Sequence, residues 1–125
     1  MKNALIVDDI TTYTDTLEVY LEDDFEVYKA ASLDEAIAIA RSHHIDLSLV
    51  DIRLNEADPK NKDGIELVRR LKEQNPHALV IVMSAYKEFD YAVEALNAGA
   101  DYFMQKPLQP EELDKVVTKL SQGGG

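Results

Sequence analysis

The sequence predicts an α/β domain in which helices cover both faces of a parallel sheet. Short apolar runs of strand length alternate with segments whose apolar residues recur at helical spacing, the pattern of repeated strand–helix units. The 125 residues, 46% of them hydrophobic and 30% charged, suit one domain with a single core. We expect residues 1–120 to form this domain and residues 121–125 to be a flexible tail or linker remnant.

Five runs have the composition of strands. Three of them are apolar apart from one serine, as expected of central strands buried on both faces: residues 4–7, 47–50 and 79–83. Residues 25–29 alternate between apolar and polar, and residues 102–104 form only a short run, so both are predicted to lie at the edges. These features favour a doubly wound, flavodoxin-like (βα)5 fold with strand order 2-1-3-4-5.

Five helices are predicted to connect and follow these strands. The apolar stripes of four of them are Tyr13, Leu17, Tyr20 and Leu21; Ala36, Ile37 and Ala40; Ile65, Val68 and Leu71; and Leu113, Val116, Val117 and Leu120. The remaining helix, the fourth, is predicted over residues 89–98 and ended by Gly99, since glycine takes a left-handed cap most readily. Ser32 and Glu35 predict a capping box at the start of the second helix, and Pro76 ends the third.

Polar groups with distinct chemistry follow four of the predicted strands. They are Asp8 with Asp9, then Asp51, Ser84 and Lys106. Ligands of open α/β sheets bind outside the carboxyl ends of the strands, so we expect these groups to converge on one crevice. Three carboxylates at close range repel one another unless a cation joins them, and Mg²⁺ prefers such oxygen ligands. In isolation, Asp8-Asp9 is as typical of a helix cap as of a metal site, Ser84 is more typical of a turn, and Lys106 is more typical of a solvated surface. The occurrence of all these groups at the ends of the predicted strands is what predicts a site.

This constellation resembles the receiver domain of bacterial two-component response regulators, from about residue 3 to residue 120. The resemblance implies a phosphorylation-activated signalling switch. Asp51 would accept a phosphoryl group from a sensor histidine kinase or a phosphotransfer protein in a Mg²⁺-dependent reaction. Ser84 and Lys106 would each hold a phosphoryl oxygen. The metal would be held by Asp8, Asp9, Asp51 and the backbone carbonyl of Arg53.

The resemblance also implies a switch and two contact surfaces. Ser84 and Phe103, which stands where the family often has tyrosine, would form the switch, and the Lys106–Pro107 bond would be cis. The phosphoryl donor would dock near Ile10, Tyr13, Thr14, Pro107 and Leu108. The fourth helix, fifth strand and fifth helix would form the output face, through which many relatives form homodimers or engage an effector.

The segment that follows Asp51 departs from the family pattern. Asn55 stands where the family usually has proline, and a long charged loop over residues 54–63 precedes Gly64. This loop could cover the site, contact the kinase or be a tolerated surface insertion. Arg53 and Tyr86 stand where the family tunes its spontaneous dephosphorylation, and their bulk predicts a long-lived phosphoryl group.

The composition and motifs limit other functions. A net charge of −11 argues against nucleic-acid binding by this domain. No apolar run approaches the roughly 20 residues of a membrane span, and the absence of cysteine fits a cytoplasmic protein.

Two alternative functions fit the motifs less well. A haloacid-dehalogenase-like phosphohydrolase would need an aspartate where Arg53 stands, so we expect no enzyme beyond a phosphoacceptor that assists its own phosphorylation and dephosphorylation. An interaction module with the receiver fold that never uses phosphate would tend to lack some of these residues, whereas this sequence has the full set: Asp8, Asp9, Asp51, Ser84 and Lys106.

Overall fold

The computed structural model describes residues 2–55, 57–58, 60–85 and 89–123, with the backbone alone at residues 89 and 121–123. Within these residues strands and helices alternate along the chain. Their bounds are β1 (Lys2–Val7), α1 (Thr11–Leu21), β2 (Phe25–Ala30), α2 (Leu33–Ser42), β3 (Leu47–Asp51), α3 (Asp63–Gln74), β4 (Leu79–Ser84), α4 (Phe89–Asn97), β5 (Tyr102–Gln105) and α5 (Pro110–Gly123).

The strands form one parallel sheet in the order β2-β1-β3-β4-β5. This confirms the predicted flavodoxin-like topology. The residues of the central strands β3 and β4 are almost all buried, whereas β2 and β5 each include exposed and partly buried residues. The edge positions were predictable because a strand with one open flank carries polar residues where its neighbours do not.

Two apolar clusters cover the two faces of the sheet. Successive residues of β1 point to opposite faces, so Leu5 packs in one cluster and Ile6 in the other. The first cluster lies beneath α2, α3 and α4, and the second lies beneath α1 and α5. This two-sided packing holds the strand ends fixed relative to one another, which positions the site.

Local signals explain the helix boundaries. The Ser32 hydroxyl accepts a hydrogen bond from the Glu35 N–H at 3.2 Å, as a capping residue should. The Glu35 carboxylate accepts from the Ala31 N–H at 2.7 Å, one residue earlier than a standard capping box. Gly99, at φ 117°, takes the left-handed conformation expected after α4. Helix α5 continues to Gly123, beyond the boundary expected at residue 120.

Among the described residues, no helix is both long enough and apolar enough to cross a bilayer.

Candidate functional site

The predicted site residues meet at the carboxyl edge of the sheet. The register of β1 with β3 extends to the last residue of β1, so Asp8 and Asp51 leave neighbouring strands side by side. Ser84 is the last residue of β4 and pairs with the last residue of β5, after which Lys106 follows. Asp8, Asp51, Ser84 and Lys106 are buried, and Asp9 is partly buried. The parallel topology therefore brings together all five residues that the sequence analysis selected.

The three carboxylates form one acidic cluster. One oxygen from each of Asp8, Asp9 and Asp51 lies within 4.8 Å of the others. Burial raises the pKa of Asp51 to about 7, against the opposing pull of the Lys106 ammonium, and the charges of Asp8 and Asp9 add to the increase. Burial also raises the pKa of Asp8. Asp8 and Asp51 are therefore reluctant to be ionised together without a further cation.

Lys106 supplies a positive charge to this cluster. Its Nζ lies 2.5 Å from Asp8 Oδ2 and 3.3 Å from Asp51 Oδ2, and its side chain is 2% exposed. Burial acts to lower the pKa of Lys106, but the attraction of Asp51 and Asp8 outweighs it, and the net shift is upward. The lysine is thus held as an ammonium.

The backbone around Lys106 explains how it reaches the carboxylates. The Lys106 N–H donates to the Ser84 carbonyl at 2.9 Å, which continues the β4–β5 pairing past the end of β5. The Lys106–Pro107 peptide bond is cis. Leu108 then packs in the second apolar cluster, so the segment is anchored on both sides of the lysine.

The oxygens of the cluster fit a hard divalent cation. Asp51 Oδ2 is buried and accepts no hydrogen bond within the part of the chain that the structure describes. Its 3.3 Å contact with Lys106 is an ion pair that leaves a lone pair available. Three carboxylate oxygens at this spacing, without nitrogen or sulfur donors among them, are the ligand type that Mg²⁺ and Ca²⁺ prefer.

The chain matches one family model over most of its length. The model described as "Response regulator receiver domain" matches residues 4–118. This chain belongs to the response regulator receiver domain family.

Curated relatives of this receiver domain include longer regulators. It is 36% identical over 121 residues to the transcriptional regulatory protein ZraR of Klebsiella oxytoca, covering 96% of this chain and 26% of the relative. It is 31% identical over 116 residues to the alginate biosynthesis transcriptional regulatory protein AlgB of Pseudomonas aeruginosa, covering 92% of this chain and 25% of that protein. The chain therefore spans about a quarter of the length of these relatives.

Solved structures of similar proteins share the whole fold. A CheY-like receiver domain protein of Methanospirillum hungatei superposes with a TM-score of 0.85 at 34% identity, covering 98% of this chain and 95% of the other. A response regulator of Burkholderia pseudomallei, solved with a phosphorylated aspartic acid, a calcium ion and citrate, superposes with a TM-score of 0.84 at 30% identity. That match covers 98% of this receiver domain and 70% of the Burkholderia chain.

The other predicted residues of the receiver domain have varied environments. Arg53 is buried beside the site, and Phe103 is half-buried against the first apolar cluster. Of the expected docking residues, Ile10 and Tyr13 are partly buried and Pro107 is exposed, whereas Thr14 and Leu108 are buried. Tyr86 lies outside the described residues.

The loop after Asp51 is held partly by a side chain that the sequence analysis overlooked, that of Asn61. Asn61 Oδ1 accepts from the Leu54 N–H at 3.0 Å and from the Asp63 N–H at 3.1 Å. Asn61 thereby closes the loop on itself next to the start of α3. Asparagine favours such local hydrogen bonds to the backbone, so a turn was predictable, but its distant partner Leu54 was not.

Tyr13 has a contact that sequence reasoning also missed. Its ring lies beneath the Lys106 ammonium, with Nζ 4.5 Å from the ring centroid. The sequence analysis placed Tyr13 in the apolar stripe of α1, and the family resemblance implied that it lies near the docking surface. Its contact with Lys106 joins residues 93 positions apart and has no local sequence signal.

Proposed function

We propose that this receiver domain is a phosphorylation-activated signalling switch whose phosphoacceptor is Asp51. One observation carries the proposal: the buried Oδ2 of Asp51 faces the Lys106 ammonium at 3.3 Å within a cluster of three carboxylates. A nucleophilic oxygen and a fixed positive charge are thus next to each other where phosphoryl oxygens would lie. The Burkholderia relative, with its phosphorylated aspartic acid, supports this assignment.

The reaction would be a direct transfer to the Asp51 carboxylate. One carboxylate oxygen attacks phosphorus as the bond from phosphorus to the donor's imidazole nitrogen breaks, and the imidazole leaves with a proton from solvent. Phosphoryl transfer passes through a loose transition state, so the protein acts mainly by alignment and charge stabilisation. Lys106 would hold one oxygen of the phosphoryl group and the Ser84 hydroxyl another.

Magnesium fits the acidic cluster as the cofactor. Asp8, Asp9, Asp51 and the backbone carbonyl of Arg53 would hold it, and when bound it would neutralise the carboxylates and a phosphoryl oxygen. Because burial raises the pKa of Asp51 to about 7, the protein alone leaves part of this carboxylate protonated at neutral pH. Asp51 is a better nucleophile once added positive charge lowers that pKa.

The output would run through the face that α4, β5 and α5 form. The new contacts of Ser84 and Lys106 with the phosphoryl group would bias this face, with Phe103 as the aromatic member of the switch. Exposed large apolar side chains on α4 and β5 support a surface for a homodimer or an effector: Val93, Leu96 and Tyr102.

Phosphoryl donors of this class, sensor histidine kinases and phosphotransfer proteins, act in the cytoplasm. We therefore propose a cytoplasmic location for the domain.

Intact mass measurement tests the chemistry. The wild-type chain and the Asp51→Asn variant are incubated with acetyl phosphate, with Mg²⁺ or with a chelator. We expect one phosphoryl group on the wild type in Mg²⁺ alone and none on the variant. An adduct on both proteins would contradict the assignment of Asp51. Absence of both an adduct and a spectral response to beryllofluoride would contradict the switch itself.

A further inference from the structure

The Lys106 ammonium has a third partner besides its two carboxylates. Its Nζ lies 4.5 Å from the centroid of the Tyr13 ring, inside the roughly 6 Å limit of a cation–π contact. Tyr13 is fixed in the first turn of α1, where its N–H donates to the Ile10 carbonyl at 3.0 Å. The backbone of Tyr13 is therefore held in α1 at the rim of the site.

The environment makes this contact stronger than an ordinary surface pair. The Lys106 side chain is 2% exposed, so water competes little with the ring for its charge. The chain also contains a comparison pair, in which Lys62 Nζ lies 5.1 Å from the centroid of the Tyr91 ring. Lys62 is 46% exposed, so solvent screens that contact. Of these two lysines, only Lys106 is shielded from solvent, and it lies within the candidate site.

The partners of Lys106 change during the proposed reaction. Asp8 would also help to hold the proposed cation, and Asp51 would lose its carboxylate charge on phosphorylation. The Tyr13 ring takes part in neither change. It is therefore a contact that can persist from the resting site through the transfer.

We propose that Tyr13 is a positioning residue for phosphoryl transfer, acting through Lys106. Its ring holds the ammonium beside Asp51 while the carboxylates are engaged by the cation and by the phosphoryl group. Lysine has a flexible four-carbon stem, and fixing its charge in advance reduces the entropy lost when it binds a phosphoryl oxygen. This inference rests on the proposed function, because it needs Asp51 as the acceptor.

Four variants separate the ring from its hydroxyl and from simple packing. Tyr13→Phe keeps the ring, Tyr13→Leu keeps apolar bulk without a π-face, and Tyr91→Leu removes the exposed comparison ring. Lys106→Met removes the charge. The signals that are missing from its NMR spectrum also identify those of Lys106 in the wild type. Each variant is taken to be folded when its amide NMR spectrum retains the chemical-shift dispersion of the wild type.

The first readout is independent of phosphorylation. The ε-methylene protons of Lys106 should be shifted upfield by the ring current of Tyr13, with and without Mg²⁺. We expect this shift to persist in Tyr13→Phe and Tyr91→Leu and to disappear in Tyr13→Leu. Absence of the shift in the wild type would overturn the proposal, because the ring would not face the ammonium.

The second readout is the initial rate of phosphorylation by acetyl phosphate. Tyr13→Phe and Tyr91→Leu should stay within about twofold of the wild type, and Tyr13→Leu should be slower by roughly two- to thirtyfold, the range to which cation–π energies convert. In the Lys106→Met background, Tyr13→Leu should add no further loss. An equal loss in both backgrounds would overturn the positioning role in favour of packing.

Failure of this inference is distinct from failure of the proposed function. A wild-type chain that is phosphorylated on Asp51, together with a Tyr13→Leu variant of equal rate, would overturn the role of Tyr13 alone. A wild type that accepts no phosphoryl group and gives no beryllofluoride response would overturn both, because no transfer would exist for Tyr13 to assist.

Discussion

A Cβ atom on Gly64 would lie 2.1 Å from the carbonyl oxygen of Asp51. It would also lie 2.6 Å from the Cα atom of Ile52, so both obstacles are backbone and neither can rotate away. The Gly64 N–H donates to the Ile52 carbonyl at 3.0 Å, which fixes the close approach. The first turn of α3 therefore rests directly on the backbone that carries the proposed phosphoacceptor.

Replacing Gly64 by alanine should destabilise the domain. We expect the free energy of unfolding to fall by about 1–3 kcal/mol or more, because the added methyl group must displace backbone. Urea unfolding followed by circular dichroism measures the change. In a helix without this contact, the same substitution would raise stability by roughly 0.5–1 kcal/mol through its helix propensity. A Gly64→Ala variant at least as stable as the wild type would therefore contradict the structural argument.

The sheet order and the acidic cluster could be predicted from the sequence because both follow from local patterns. Apolar runs identify the central strands, and parallel strands bring their carboxyl ends to one edge. Asp8, Asp51 and Lys106 met there as expected, although their burial and spacing were not in the sequence.

Contacts between distant side chains could not be predicted in the same way. The Tyr13 ring beneath Lys106 depends on tertiary placement. The hydrogen bond of Asn61 to Leu54 is closer in sequence, but it depends on the path of the loop between them. The end of α5 differed for another reason. Glycine is a poor helix former, so the sequence favoured a flexible tail from residue 121, yet α5 continues to Gly123.

The contribution of Asp51 to the stability of the domain should decrease as the pH rises from about 4 to about 7 when divalent cations are chelated. Asp51 has a pKa of about 7 in the folded state, raised mainly by burial from 3.8. The folded state then binds more protons than the unfolded state within this window, so raising the pH favours unfolding. Asp8 acts in the same direction, because burial raises its pKa too.

The Asp51→Asn variant isolates the contribution of Asp51 to this pH dependence. We expect the variant and the wild type to be similarly stable near pH 4, and the variant to be more stable by about 1–3 kcal/mol at pH 7 to 8. Urea unfolding in a chelating buffer at each pH measures the difference. Parallel curves for Asp51→Asn and the wild type would contradict the raised pKa.

Removing the side-chain carbonyl of Asn61 should destabilise the loop after Asp51. Asn61→Ala leaves the N–H groups of Leu54 and Asp63 without this acceptor, so the free energy of unfolding should fall by about 1–2 kcal/mol. Asn55→Ala is the matched control. The Asn55 side chain accepts from the exposed Ala57 N–H, so this change should cost no more than about 0.5 kcal/mol. Equal losses in the two variants, measured by urea unfolding, would show that the double contact of Asn61 adds nothing.

The sheltered ion pair of Lys72 should contribute more to stability than the exposed pair of Lys62. Lys72 Nζ lies 2.8 Å from Asp101 Oδ2 and donates to the Ala78 carbonyl at 2.6 Å. The same Asp101 oxygen accepts from the Val80 N–H at 2.8 Å, so Lys72 supports a carboxylate that holds the start of β4. Lys62 pairs with Glu94 at 3.2 Å in a solvated setting.

Substituting each lysine by methionine keeps much of the apolar stem and removes the charge. Lys72→Met should lower the free energy of unfolding by about 1–3 kcal/mol, because it leaves the Asp101 carboxylate without its cation and the Ala78 carbonyl without its donor. Lys62→Met should change it by less than about 1 kcal/mol, as is usual for exposed pairs. Thermal and urea unfolding at 0.1 and 1 M salt compare the two, and high salt should reduce only the small Lys62 effect appreciably. If the two variants lost equal stability, shielding from solvent would not be what distinguishes these ion pairs.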